Sequence, residues 1–370
     1  MLLIKTVISW LLVLPCFAAA PSSGELDDLF AFRGIVLQQD DNNGGNPYVS
    51  EDASIYEGLF LYRSSLGAED ALQGKFTGDV VSAASYDDAR EKAETVSGAT
   101  GYNPGRFNID IAWLHQSLDW GFSIGTSYGQ EYAYRSQGYN LSGNLDLAEG
   151  ATQLSASLQV FNDQVRVIRF DGSKEHDQVR NTDTLNLGWT QSLTPTRVLN
   201  LGWSNSQQRG MLATSFNAVK VDDHFEFEQL PEHRIRNAGS IRYKQASGED
   251  SWQLGFSRYQ DSWDVKGNTL ELRYYAHFNR GQLVLEPVYR YYQQQQSRYF
   301  AWQFDGLPPF RSSDSDLGDF DGHTLGLNVS WLGSAPWLQR QAWYDMGFQV
   351  YDRSDNIRFY WLTVGWRYPQ

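Results

Sequence analysis

The last residues of the chain alternate strictly. Tyr360, Leu362, Val364, Trp366 and Tyr368 hold one parity, while Thr363, Gly365 and Arg367 hold the other. A period of two sends successive side chains to opposite faces of a strand. Aromatics stand at both ends of the apolar row with aliphatics between them, the order of a hydrocarbon band flanked by interfacial girdles. The pattern recurs upstream. Tyr344, Met346, Phe348 and Val350 oppose Asp345, Gly347 and Gln349, and Leu325, Leu327, Val329 and Trp331 oppose Thr324, Gly326, Asn328 and Ser330. Similar rows begin at Phe107, Trp120, Leu185, Leu199, Trp252 and Leu270. In a soluble barrel the apolar parity would point inward and the outside would be charged. Here the opposite parity is Gly, Ser, Thr, Asn, Asp and Arg, which suits a wet lumen better than a dry core. A soluble β-sandwich would share the alternation but not the girdles.

Composition decides how such a chain would cross a membrane. Phe, Trp and Tyr make up 15% of 370 residues, yet the mean hydropathy is −0.49. Beyond the amino terminus no stretch approaches the roughly 18 apolar residues of a membrane helix. Strands are therefore the expected spanning elements. The net charge of −14 excludes a nucleic-acid binder, which needs a basic face to neutralise phosphates.

Residues 1–20 read as a secretory signal: Lys5 is the positive n-region, Val7 to Phe17 the short apolar stretch, and Ala18, Ala19 and Ala20 the small residues at the cut. Pro21 disfavours cleavage directly after Ala20, so a cut near Ala18 is equally expected. Export through the Sec pathway and removal of this segment follow. The only cysteine, Cys16, lies inside it. The mature chain then has no thiol, which excludes disulfides, thiolate metal sites, a Cys nucleophile and covalent haem attachment.

Loop lengths give an independent signal. Short links lie near Ser117-Leu118, Ala148-Glu149-Gly150, Leu193 to Thr196, Ala246 to Asp250 and Arg280-Gly281. Long polar ones cover about Asp87 to Gly105, Asn162 to Thr182, Gln207 to Arg236 and Ser297 to Gly322. They alternate, as short periplasmic turns and long extracellular loops do. Short outer turns near Glu131 and at Asp352 to Asn356 are exceptions. Counting back from a final strand that ends in the periplasm gives segments reaching to Ser54–Leu66, plus an ascending first strand at Phe32 to Gln39. The expected fold is all-β: a transmembrane antiparallel β-barrel of about sixteen strands, or fourteen if the first pair does not join. Residues 21–31 are expected to form a short periplasmic segment and residues 32–370 the barrel. If Arg280-Gly281 is a tight turn, pairing places Glu271 opposite Arg290, with Glu286 one diagonal step from Arg273.

Several strings are then informative as strings. Asp79 to Ser85 (DVVSAAS), Ser97 to Arg106 (SGATGYNPGR), Leu230 to Ala238 (LPEHRIRNA), Tyr259 to Leu272 (YQDSWDVKGNTLEL) and Leu285 to Gln294 (LEPVYRYYQQ) appear in order. In these the chain resembles the bacterial domain-of-unknown-function family 3570, regarded as outer-membrane β-barrels. The resemblance runs from about Ser54 to the C-terminus. It departs after Gly210-Met211-Leu212, where Ala213-Thr214-Ser215-Phe216 stands in place of an Asn-Pro-Tyr-Arg run. The resemblance implies no established activity. It implies, by association, a periplasmic redox partner linked to flavin transfer or thioredoxin-like proteins.

By parity Lys75, Asp79, Asp110, Arg242, Glu271, Arg273, Glu286 and Arg290 face the lumen. Mixed charge there either orients and filters solutes in a transverse field or pairs internally and plugs the barrel. His115 and Ser117, two residues apart, are the only hint of a lipase-like pair, and no acidic orienter is visible beside them. Asp314, Asp316, Asp319 and Asp321 form an oxygen-rich loop of the kind calcium favours. It lacks the spacing of an EF-hand, and a solvated acidic loop is the expectation. The reading is a barrel without intrinsic catalysis or cofactor: a porin-like channel, or the barrel component of a cell-envelope system. Its surroundings would be outer-membrane lipid and lipopolysaccharide, reached through the barrel-assembly machinery.

Overall fold

A computed structural model describes residues 26–42, 44–48, 50–83, 105–335 and 340–369. The signal segment, Cys16 and most of the 87–105 loop fall outside these. Apart from one 3-10 turn, every regular element among the described residues is a strand. In order it forms β1 (Leu29–Asp40), β2 (Ala53–Ser65), β3 (Asp70–Ala83), β4 (Gly105–Gln116), β5 (Trp120–Glu131), β6 (Tyr134–Leu147), β7 (Thr152–Val165), β8 (Gln178–Thr194) and β9 (Arg197–Gly210). There follow β10 (Ala218–Val221), β11 (His224–Phe227), β12 (His233–Ser247), β13 (Asp250–Asp261), β14 (Lys266–Phe278), β15 (Leu283–Gln295), β16 (Gln303–Phe304), β17 (Phe320–Ala335), β18 (Arg340–Arg353) and β19 (Arg358–Pro369).

Sixteen of these strands close a single barrel, and β10, β11 and β16 form a separate three-stranded sheet. The barrel strands pair antiparallel throughout, and β1 closes on β19 from Leu29 opposite Pro369 to Asp40 opposite Arg358. The first strand thus begins at Leu29, so residues 29–31, expected in a periplasmic segment, belong to the wall.

The alternation behaves as the sequence dictates. Leu362 pairs with Val36 and Phe348, and all three lie on the outer face with Tyr360, Val364 and Trp366. Leu362 is 42% exposed in the isolated chain, as a lipid-facing side chain should be. Short turns join strands at one end. At Asn279-Arg280-Gly281 three successive residues have φ of 52°, 58° and 82°, a left-handed run in which glycine relieves the last position. Ala148-Glu149-Gly150 repeats it. The resulting register puts Glu271 opposite Arg290 and Arg273 opposite Val288, as the turn requires.

The lumen is not uniform along its axis. On β12 the inward residues Lys244 and Arg242, near the short-turn end, are exposed, whereas Arg234, near the long-loop end, is 5% exposed. On β7 Ser155 is exposed and Asp163 is 2% exposed. The long loops fill that half. Leu230, Trp263, Val265, Phe300 and Leu317 form a buried cluster among them, with Tyr259 and Trp302 packed against it.

One expectation needs correction here. The inward parity is not polar everywhere: Leu37, Ile55, Tyr351, Phe359 and Trp361 point inward and form a buried apolar cluster with Ile357. At Ile35-Val36-Leu37 and Phe359-Tyr360-Trp361-Leu362 both parities are apolar, the signature of strands buried on both faces.

The parity assignment is testable. Leu362→Arg is expected to cost roughly 2–4 kcal/mol, as a cation near the hydrocarbon midplane does, and Thr363→Arg, facing the lumen, to cost far less. A refolding titration of both variants in lipid measures the difference, and equal costs would reverse the assignment.

Candidate lumenal site

Each sequence-predicted lumenal charge lies on the inner wall, and most meet a partner there. Lys75 and Asp110 face each other across β3 and β4, with Nζ 3.0 Å from the carboxylate. Asp79 pairs with Arg106, whose other side reaches Glu131 at 3.9 Å. Arg273 donates from Nε to Glu271 at 2.7 Å and from Nη1 to Glu286 at 2.7 Å. The expected Glu271–Arg290 contact therefore needs correction. The backbone register is right, but Glu271 bonds the arginine two residues along its own strand, because the planar fork of Arg273 spans both carboxylates. Arg290 and Arg242 have no carboxylate within ion-pair distance among the described residues.

Other pairs were invisible in the sequence because closure creates them. Arg33 on β1 reaches Asp345 on β18 at 3.1 Å, crossing β19 at Gly365, which stands between them in register. At the long-loop end Arg180 bonds Asp163 at 3.0 Å and the Tyr134 hydroxyl at 2.7 Å. Arg234 pairs with Asp261 and lies 4.2 Å from the centre of the Trp263 ring. A signal for these existed in the alternation, since Asp163, Arg180, Arg234 and Asp261 share the inward parity; their pairing did not follow from local spacing.

The acidic loop is tied down by contacts of its own. Asp314 is buried, not solvated, and caps the short 3-10 turn Ser315–Leu317 by accepting from the Asp316 amide. Asp316 pairs with Arg353 at 2.6 Å, and Asp319 accepts from the Gln296 amide. Their carboxylates therefore diverge, and with Asp321 they do not converge on a common point. Arg353 also binds Asp355 at 2.6 Å and the Ser315 carbonyl at 3.1 Å. Glu51, from the β1–β2 loop, accepts from the Ser315 hydroxyl at 2.9 Å. Glu228 accepts from Ser312 at 2.5 Å and from the Thr214 amide. Burial, with Asp314 and Asp316 nearby, pushes the Glu51 carboxyl up to about 8. Burial raises Glu228 and Asp314 as well.

His115 gains the orienter that the sequence did not reveal. Its Nδ1 lies 3.0 Å from Asp70, directly across β3 and β4. Its Nε2 faces Glu69 at 4.0 Å, and the Ser117 hydroxyl donates to the same Glu69 at 3.4 Å. The serine thus bonds a carboxylate and not the imidazole. The ring sits against Trp120 and Phe122 on the outer face, in the aromatic girdle.

A family model described as a protein of unknown function, DUF3570, matches residues 50–358. The chain belongs to this family. Among solved structures, this DUF3570 barrel is similar to a bacterial polysaccharide outer membrane secretin, with 8% identity, a TM-score of 0.52, and coverage of 94% of this chain and 100% of that one. It is also similar to a loop-deletion mutant of the outer membrane protein OmpT of Vibrio cholerae, with 10% identity, a TM-score of 0.45 and coverage of 92% and 99%. OprD from Pseudomonas aeruginosa gives 10%, 0.45, and coverage of 95% and 96%. No curated protein matches the sequence. At such identities the likeness concerns the fold, which is that of outer-membrane barrels. Most short turns of the DUF3570 barrel lie at one end and its long loops at the other.

Two predictions follow from this geometry. A double-mutant cycle of Arg273→Ala with Glu286→Ala should give a coupling of about 0.5–3 kcal/mol, as contacting charges do, and exceed that of Glu271 with Arg290. Refolding stability of the four variants in each cycle measures it.

The loop lock should weaken as pH rises. Glu51 in the folded cap holds its proton to about 8, against an ordinary value of 4.5. Between those values the folded state binds more protons than the unfolded one, so cap stability falls with increasing pH. The protection factor of the Ser315–Leu317 amides, taken against the unstructured exchange rate at each pH, should be lower at pH 9 than at pH 5, and Glu51→Gln should flatten that dependence.

Proposed function

We propose that this barrel is a solute channel of the outer membrane, closed at its outer mouth by its own folded loops. What carries the reading is the gradient of exposure along the inner wall: wet at the periplasmic half, around Arg242 and Ser155, and packed at the outer half. A structural plug would have no need of an accessible vestibule lined by mixed charges. Such charges orient and select small polar solutes. In the girdle the Ser117 hydroxyl meets the Glu69 carboxylate and not the His115 ring, and the channel reading asks no chemistry of the wall itself. The cap is the gate, and Arg353 is its latch, because it holds both Asp316 and Asp355 beside the Ser315 carbonyl.

The test is electrical. The refolded native protein in a planar bilayer should pass little current, and Arg353→Ala should produce discrete conductance steps. A variant with residues 299–313 replaced by a short polar linker should conduct continuously. Membranes that stay sealed with both variants would remove the channel and leave the barrel as a partner for a periplasmic redox system.

A further inference from the structure

Beneath the cap lies a cavity of about 80 Å³ against the outer half of the inner wall. Four arginines border it: Arg166, Arg180, Arg234 and Arg236. Two of them are neutralised, Arg180 by Asp163 and Arg234 by Asp261. The other two have no carboxylate within 4.0 Å among the described residues. Arg166 leans on the Tyr132 ring, 5.5 Å from its centre.

Arg236 is the informative one. Its cross-strand neighbour in register is Asp261, which would be its natural partner. Asp261 is fully engaged elsewhere. One oxygen accepts from Arg234 and from the Tyr259 hydroxyl at 2.8 Å, and the other accepts from the Trp263 and Val265 amides at 2.9 and 3.0 Å. The Nε of Arg236 is buried and makes no hydrogen bond. A guanidinium taken out of water without a counter-charge is costly, and an anion that supplies one offsets part of that cost.

The rest of the lining is not that of an inorganic ion site. Trp263, Leu212, Leu230 and Ile168 form apolar walls, which reward a hydrocarbon body rather than a bare oxyanion. At roughly 10–15 Å³ of such volume per water, the space takes about five to eight waters, or an organic acid with as many non-hydrogen atoms. Two acids also border it. Glu131 is drawn toward Arg106 and Asp314 caps the Ser315–Leu317 turn, and neither carboxylate lies within 4.0 Å of Arg236.

We propose that this cavity binds a small organic carboxylate, with its charge on the free fork of Arg236 and its apolar body against Trp263 and Leu230. The pairing is the planar, two-bond match of guanidinium and carboxylate. Access is by way of the periplasmic vestibule or an opened cap, and the site does not require the barrel to conduct.

The experiment is calorimetric titration of pentanoate into the full refolded protein. Pentanamide, of the same shape without charge, and inorganic phosphate, charged without an apolar body, are the comparison probes. Saturable binding of pentanoate alone is expected. Arg236→Gln should weaken it about tenfold or more, the value of a lost charge-assisted pair. Arg258→Gln, on the outer face of β13, should leave it unchanged. Arg166→Gln, on a loop outside the wall, gives the same reading if Arg236→Gln does not fold, since it removes the second unneutralised cation. Absence of saturable pentanoate binding, equal binding by pentanamide or phosphate, or unchanged affinity in the folded cavity variants would overturn the proposal. Conductance is measured separately, so a sealed barrel that binds pentanoate fails the channel reading and keeps this one.

Discussion

A strand in hydrocarbon has no water to satisfy its backbone, and each unpaired group there costs several kcal/mol. A membrane-spanning sheet therefore survives only without edges. Here the burden falls on one seam, where β1 meets β19 over the whole length of β1. Everything else in the wall is joined to its neighbour by a local hairpin or a loop. The seam alone joins the two ends of the chain, and it carries its own charge clamp, Arg33 to Asp345, across Gly365. A Cβ at position 365 would stand 2.8 Å from the Asp345 carboxylate. Glycine there leaves the passage open, so a missing side chain helps to hold the closure.

Inside the wall, carboxylates are the scarce resource locally despite the acidic sequence. Asp261 serves an arginine, a tyrosine and two backbone amides. Glu271 and Glu286 both go to Arg273. Cations are thereby left over in two different settings. Arg242, in the wet half, is solvated and needs no partner. Arg236, in the packed half, keeps a buried Nε without a hydrogen-bond partner. The same imbalance of pairing is thus neutral at one depth and consequential at another.

Much of this fold was legible in the sequence because the membrane imposes a simple code. Leu362 and Thr363 announced their faces by alternation, and the Arg280-Gly281 turn fixed the pairing of Glu271 with Arg290. Strand number followed from turns and parity. What escaped was whatever depends on side-chain reach or on contacts between distant segments. Arg273 chose Glu271 along its own strand, which register cannot express. The inward apolar patch around Leu37 and Trp361 hid in runs where both parities are hydrophobic. Asp314 looked like a solvated loop residue because nothing nearby in sequence indicates that Glu51, Glu228 and Arg353 surround it. The free guanidinium of Arg236 was legible only by subtraction, after the commitments of Asp261 were known.

The cap also carries information about time. Its contacts join segments far apart in the chain, as between Ser315 and Glu51, which are 264 residues apart. No hairpin delivers those groups to one another; only a finished cylinder does. Loop-closure entropy makes such distant contacts unfavourable until the wall has brought their bases together. The lock therefore forms after the seam, and every newly inserted molecule passes through a stage in which its cylinder is complete and its outer mouth is still unlocked.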